Sequence, residues 1–220
     1  MSSEDQDKFD RSVRRLGVFG GTFDPVHNTH LDIAHAAQNH SRLDRVLFVV
    51  SARPPHKETG VYATPEERYA MVCAALEDRP ALEPSRLELD RPGHSYTCDT
   101  LRRLHTRYPD TALFLILGFD SLVDLPNWKA PEEILALARL LVVPRPGPPR
   151  AVPRGVQGHY ELVPFDAVDL SSTEVRERVI AGAPYDDLVP PAVGRLIRTQ
   201  GIYRVGAEPE PSGGIATGKD

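Results

Sequence analysis

Two histidines three residues apart, His27 and His30, follow the run Gly20-Gly21-Thr22-Phe23-Asp24-Pro25 and precede an apolar helix start at Leu31, Ile33 and Ala34. The spacing predicts both imidazoles at or just before a helix N-terminus, where backbone N–H groups and the helix dipole favour an anion. The alternatives are two solvated loop histidines or a metal site. A metal would need Asp32 and His35 as further ligands, and the spacing matches no common zinc pattern. A second candidate lies near the other end, in Ser171-Ser172-Thr173-Glu174-Val175-Arg176. A capping box accounts for Ser171 and Glu174, but a cation one turn into a helix opposes the positive end of its dipole. Ser172 and Arg176 share a face at i, i+4, so a hydroxyl, N–H groups and a guanidinium converge as a phosphate requires. Two helix starts aimed at phosphate point to a polyphosphate held between them, with a nucleoside triphosphate the economical choice. The glycine run is neither G-x-G-x-x-G nor a Walker A sequence, so hydride transfer and P-loop hydrolysis lose their main support.

These residues need a frame, and the apolar pattern predicts one. Leu16–Phe19, Val46–Val50, Ala112–Leu117 and Leu140–Val143 are apolar on both parities, as strands covered on both faces of a parallel sheet are. Between them, Thr64-Pro65-Glu66-Glu67 reads as an N-cap, a proline at the first helical position and a capping-box Glu. Leu101, Leu104 and Tyr108 follow helical spacing up to Pro109, and Pro131 opens another helix before Ile134, Leu135 and Ala138. Ser171 to Gly182 is a further helix with its stop. Alternating strands and helices predict a doubly wound α/β fold, with the glycine run at a strand's carboxyl end, where such sheets bind ligands. Pro144 to Gly155, with five prolines, reads as a surface loop. Residues 1–14 and 206–220 read as disordered tails around one domain, 15–205.

Composition narrows the class. With 220 residues, 40% hydrophobic and 26% charged, the chain is too apolar for disorder and too charged for a membrane protein. Its 26 basic and 31 acidic residues give a net charge of −5, against a broad basic surface for nucleic acid. Cys73 and Cys98 form no C-x-x-C pair, so no disulfide framework or cysteine zinc site is indicated. The start is polar and acidic rather than a signal peptide, and no apolar run approaches the ~18 residues of a membrane span. The expectation is a cytoplasmic protein, its oligomeric state left open. Only four basic residues are lysines, which singles out the two mid-chain ones, Lys57 and Lys129.

Gly20 through His30 resembles the H-x-G-H motif of the nucleotidylyltransferase superfamily, and Leu170 through Arg176 its I-S-S-T-x-x-R motif. Three further segments narrow the resemblance: Pro54-Pro55-His56-Lys57, Arg91-Pro92-Gly93-His94-Ser95-Tyr96-Thr97 through Leu101, and Gly118-Phe119-Asp120-Ser121-Leu122 to Trp128. In this order over residues 16–204, the set is similar to the bacterial nicotinate-nucleotide adenylyltransferase family. The resemblance implies a Rossmann-like sheet of nucleotidylyltransferase type. It also implies a reaction in which ATP and nicotinate mononucleotide give deamido-NAD and pyrophosphate, with Mg²⁺ on the phosphates and no protein metal ligands. The attacking group would be a phosphate, ionised at neutral pH because its second pKa is about 6, so no protein nucleophile or general base need be found.

Carried over by the resemblance, His27 and His30 would contact the ATP phosphates, with His30 nearest the α-phosphate. Ser172 and Arg176, with Thr173 beside them, would hold the β- and γ-phosphates. Gly20, Gly21, Thr22 and Phe23 would bring backbone close to the nucleotide. Gly118 and Asp120 would end a strand against it, the carboxylate binding ribose or bridging through the metal. Lys57 would add a mobile positive charge toward both substrates. Trp128 would stack on the pyridine ring and Thr97 would hydrogen-bond the nicotinate carboxylate, with helix N-cap as a compatible second role. One position departs from the motif: Thr29 stands where the superfamily has Gly. A β-branched residue there could crowd the α-phosphate or donate its hydroxyl to it. This leaves a nucleotide-sensing homologue without chemistry as an alternative, beside an adenylyltransferase for another phosphorylated small molecule.

Overall fold

A computed structural model describes residues 12–53, 61–144, 151–166 and 170–203. The chain runs β1 (Arg15–Gly21), α1 (Asn28–Ser41), β2 (Arg45–Val50), α2 (Pro65–Leu76), β3 (Leu82–Ser85) and α3 (Thr97–Arg107). It continues through β4 (Ala112–Gly118), α4 (Phe119–Asp124), α5 (Pro131–Leu137), β5 (Ala138–Val143), β6 (Tyr160–Leu162), α6 (Ser172–Ile180) and α7 (Pro191–Gln200). The four strands expected from two-sided apolar runs are the inner ones of a six-stranded sheet in the order β3-β2-β1-β4-β5-β6. Every pairing is parallel, so the fold is the doubly wound α/β architecture expected.

Strand parity divides the core between the two faces. Phe19, Phe48, Phe114 and Ile116 pack with Leu31, Met71, Val175 and Ile197, so α1, α2, α6 and α7 cover one face. Val18, Leu47, Leu115 and Leu140 pack with Leu101, Leu122 and Ile134, so α3, α4 and α5 cover the other. Direction of winding reverses between β1 and β4, the switch point at which such sheets open a crevice. Here the crevice has a specific cause. The β1–β4 ladder ends at Val18–Leu115. Both strands run three residues further, paired only outward, Gly21 with Val50 and Gly118 with Val143.

Two short edge strands and two helices lie outside the sequence reading. Leu82-Glu83-Pro84-Ser85 and Tyr160-Glu161-Leu162 carry no apolar run, and Pro84 is tolerated because an edge strand can spare a donor. The helix α7 carries its own punctuation, Pro191 at its start and Gly201, φ 69°, at its end. The loop expected from Pro144 contains a 3₁₀ turn, Arg154–Val156, whose Val156 is buried; residues 145–150 lie outside the described residues. So do 1–11 and 204–220, which hold most of the expected tails. Val13, counted with the first of them, is buried and accepts a hydrogen bond from Thr111 Oγ1 at 2.9 Å. Among the described residues, no helix is long and apolar enough to cross a membrane.

The ends of β1 and β2 are tied by a buried cation. Arg68 is fully buried in α2, its Nη1 donating to the carbonyls of Thr22 (2.7 Å) and Ser51 (2.8 Å) and its Nε to Ala63 (3.2 Å). Burial lowers the pKa of Arg68, while the nearby Asp24 charge opposes that shift. Removing the guanidinium strands three inward carbonyls and takes one of two nearby cations from the Asp24 carboxylate, leaving Arg176, whose Nη1 lies 3.9 Å from Asp24 Oδ2. Arg68→Met is therefore expected to cost about 3 kcal/mol or more of folding stability, read from the urea midpoint. A loss below about 1 kcal/mol, the size of a surface pair, would remove Arg68 from this role.

Candidate active site

At the carboxyl end of β1 the two glycines have different reasons to be glycine. A Cβ on Gly21 would lie 2.8 Å from the ring of Phe23, whereas a Cβ on Gly20 would meet nothing within 4 Å. Phe23 takes the left-handed backbone region, φ 50°, a costly conformation for a large residue. Burial of its ring among Phe19, Phe48 and the imidazole of His30 offsets that cost; the centroids of Phe23 and His30 are 5.1 Å apart in an edge arrangement. Gly118, at the end of β4, resembles Gly20: neither packing nor φ demands a glycine there. Both line a cleft of about 1100 Å³ at the divergence of β1 and β4.

The imidazoles stand where the spacing puts them. His27 is the N-cap of α1 and His30 its third residue; the His30 imidazole reaches back to the cap, while the buried His27 Nδ1 has no hydrogen-bond partner among the described residues. The His27 N–H donates to His30 Nδ1 at 3.2 Å, so a neutral His30 carries its proton on Nε2. The rings lie 3.7 Å apart, centroid to centroid. Other donors of this helix start are spent on the fold. The N–H of His30 goes to the His27 carbonyl, and that of Asn28 to the Leu188 carbonyl, both at 3.0 Å. Imidazoles, more than an amide nest, are what this terminus offers. Burial pushes the pKa of His27 down to about 4, so it is neutral at pH 7.

The second motif is docked on the first. Ser172 Oγ donates to the Pro25 carbonyl at 2.9 Å, and Arg176 Nη1 to the Asp24 carbonyl at 2.7 Å. Arg176 Nη2 reaches Thr173 Oγ1 at 3.1 Å, and the guanidinium lies 4.7 Å over the Tyr62 ring. Ser171 Oγ caps Glu174 N–H as expected, but the reciprocal half of the box is replaced: the Glu174 carboxylate takes Arg178, one turn on, at 2.6 Å. Gly182, φ 66°, ends the helix, and the Ala183 N–H returns to the Arg178 carbonyl.

Asp24 is the residue that sequence reasoning quoted and assigned nothing. It is buried, and its carboxylate accepts from Tyr62 N–H (2.9 Å), Ala63 N–H (3.1 Å) and Tyr203 OH (2.8 Å). Burial first, then the Asp24 charge, raises the Tyr203 phenol's pKa well above its usual value, so it stays a donor.

The remaining candidates come from the other side of the sheet. Thr97 is the first residue of α3, and the N-cap is Tyr96, which makes no side-chain cap bond; Thr97 is thus not the cap. Gly118 caps α4, placing Asp120 in that helix's first turn. Trp128 follows a 3₁₀ turn, its Nε1 donating to Asp124 Oδ2 at 3.2 Å. Thr22, Thr97, Asp120, Trp128, Thr173 and Thr29 all line the same cleft as the histidines, Ser172 and Arg176. Lys57 lies outside the described residues. Among the described residues, no three His, Cys, Asp or Glu side chains are grouped to hold a metal ion.

The Cytidylyltransferase-like family model matches residues 18–178. The chain is 45% identical over 192 residues to a probable nicotinate-nucleotide adenylyltransferase of Thermus thermophilus, covering 86% of this chain and 100% of that protein. It is 42% identical to another probable nicotinate-nucleotide adenylyltransferase, from Roseiflexus sp., covering 86% and 98%. Among solved structures, the Plasmodium falciparum nicotinic acid mononucleotide adenylyltransferase complexed with NaAD superposes with a TM-score of 0.72 at 16% identity, over 86% of this chain and 97% of that one. At that identity the likeness speaks for the fold.

Two predictions follow from the geometry. Gly20→Ala is expected to keep the wild-type unfolding midpoint yet weaken nucleotide binding about tenfold or more, while Gly21→Ala lowers the midpoint by forcing Phe23 to move. Calorimetry of both variants checks this, and normal binding by Gly20→Ala would show that the open space is not occupied by ligand. Separately, the His27 C2 proton should hold one NMR shift from pH 7.5 to 5. Its folded pKa is depressed, so below the unfolded value of about 6.5 the unfolded chain binds a proton that the folded chain refuses. The stabilising contribution is present above pH 6.5 and falls away toward pH 4. A midpoint near 6.5 in the folded protein would contradict the burial argument.

Proposed function

The chain belongs to the nicotinate-nucleotide adenylyltransferases within the cytidylyltransferase-like family, and we propose that it transfers the adenylyl group of ATP to nicotinate mononucleotide. The products are deamido-NAD and pyrophosphate, a step of NAD biosynthesis. One observation carries the site assignment: His27, His30, Ser172, Arg176, Thr97 and Trp128, from both faces of the sheet, line one cleft where β1 and β4 part.

In the proposed reaction a phosphate oxygen of nicotinate mononucleotide bonds to the α-phosphorus of ATP. The bond to the α–β bridging oxygen breaks, and its electron pair leaves with pyrophosphate. No proton must be abstracted from the attacking group, so catalysis is positioning plus stabilisation of charge at the α-phosphate. His30, held by the His27 N–H and the Phe23 ring, donates from Nε2. His27, neutral in the unliganded protein, adds a donor without the cost of a buried charge. A guanidinium has five N–H donors, so the bonds of Arg176 to Asp24 and Thr173 orient it toward the β- and γ-phosphates without exhausting it. Mg²⁺ carried on the triphosphate would neutralise phosphate charge, with Asp120, which lines the cleft, the carboxylate that would bridge to it. Gly20 and Gly118 leave room for the nucleotide, Lys57 adds positive charge, Asp120 binds ribose or bridges through the metal, Trp128 stacks on the pyridine and Thr97 meets its carboxylate. ATP as co-substrate accords with the expected cytoplasmic setting.

Pyrophosphate release from ATP and Mg²⁺ tests the reading, with nicotinate mononucleotide, nicotinamide mononucleotide or phosphopantetheine as acceptor. Turnover is expected with the nicotinate form. His30→Ala should lower kcat by about 10²-fold or more, and Thr29→Gly should keep or raise the rate, since Thr29 lines the cleft at a position where glycine gives phosphate more room. Tight ATP binding with no release from any acceptor would instead favour a nucleotide sensor.

A further inference from the structure

We propose that the side chain of Lys129, anchored by Asp99, makes the acceptor side of the cleft prefer a pyridine carboxylate over a carboxamide. The inference rests on the adenylyltransferase reading and names a specificity residue that the motif resemblance does not assign.

Lys129 follows Trp128 directly and lines the cleft. Its ammonium is fixed by two contacts: Nζ lies 3.1 Å from Asp99 Oδ2 and 4.4 Å above the Tyr96 ring. Tyr96 precedes Thr97, the residue proposed to meet the pyridine substituent, so a positive charge is held between that residue's helix start and the stacking tryptophan. Asp99 does not cancel this charge. It also takes Arg91 Nη1 at 3.5 Å and Arg102 Nη1 at 2.9 Å, and Arg102 is shared with Glu133. Three cations face two carboxylates at the N-terminus of an eleven-residue helix, whose dipole adds the same sign. Among the other acids, Asp124 accepts from Asn127 and from the Trp128 indole. Glu88 and Asp120 also line the cleft; Glu88 Oε1 accepts the Thr100 hydroxyl at 2.7 Å, and its buried Oε2 has no hydrogen-bond partner among the described residues.

The fold has little use for Lys129. Its side chain is 49% exposed, and a single exposed pair contributes little stability. A ring carboxylate carries a charge that this ammonium attracts, whereas a carboxamide carries none. Exposure keeps the discrimination modest, about tenfold, and makes it weaken with ionic strength.

The test compares kcat/KM for nicotinate and nicotinamide mononucleotide in the wild type, Lys129→Gln and Lys129→Arg, at low and high salt. Lys129→Gln is expected to shift the ratio about tenfold toward the amide through KM for the acid, Lys129→Arg to restore it, and high salt to shrink the gap. An unchanged ratio, or an equal loss with both acceptors, overturns the proposal. Trp128 is the only tryptophan, so quenching of its fluorescence measures binding of each nucleotide without turnover. A wild type that quenches with both but turns over neither would sink the adenylyltransferase reading, while the ratio of quenching constants would still decide the role of Lys129.

Discussion

The rest of the molecule depends on a buried pair of opposite charges, Asp24 and Arg68, below the first loop. Each acts mainly through backbone. Asp24 gathers the N–H groups of Tyr62 and Ala63 and the Tyr203 hydroxyl; Arg68 gathers the carbonyls of Thr22, Ser51 and Ala63. Together they tie the ends of β1 and β2, the start of α2 and the segment after α7. Desolvating such charges is expensive, and the arrangement persists because both Asp24 carboxylate oxygens and the Nε and Nη1 donors of Arg68 are hydrogen-bonded. The carbonyls of Asp24 and Pro25 then hold Arg176 and Ser172. Ser172 and Arg176, the side chains of α6 proposed to face phosphate, are thus positioned by the backbone of a loop that the two buried charges have fixed.

Electrostatics at the first motif follow from the same economy of space. His27 and His30 stack at 3.7 Å, a separation at which two positive rings would repel strongly. Burial settles the conflict by keeping His27 neutral, its pKa about 4. A triphosphate brings several negative charges toward this pair, and an opposite charge nearby favours the protonated ring. The unliganded His27 therefore stores no buried positive charge while retaining a donor for the ligand.

Much of this was legible in residue pattern, and the omissions have physical reasons. Two-sided apolar runs marked the inner strands because both faces of a parallel sheet are covered. The edges, Leu82–Ser85 and Tyr160–Leu162, are short and mixed, and carried no such mark. His27 and His30 were placed correctly at the start of α1 because a glycine turn and an apolar helix bracket them. Ser172 and Arg176 were found through a cation at the wrong end of a helix, but their grip on the Asp24 and Pro25 carbonyls spans about 150 residues and has no local signature. Arg68 did leave a trace. It occupies, with Met71, Val72, Ala75 and Leu76, the apolar stripe of α2, where a charged residue must have a buried partner. Asp24 left none, since an aspartate before a proline in a loop reads as turn chemistry.

The ladder between β1 and β4 spans only four residue pairs, Arg15–Ala112 to Val18–Leu115, before the strands part. That short seam joins two half-sheets with different duties. The near half, with α1 and the docked α6, carries the triphosphate machinery of the proposed reaction. The far half, with α3 and the pair Trp128–Lys129, carries the proposed acceptor side, while Gly118 and Asp120 at the end of its β4 are the residues proposed to face the nucleotide. Because the hydrogen-bonded connection between them stops short of the cleft floor, the acceptor wall can be rebuilt without disturbing the register of β1 or the loop it feeds. Such a division would let the same transfer chemistry be turned to a different acceptor by remodelling a single wall.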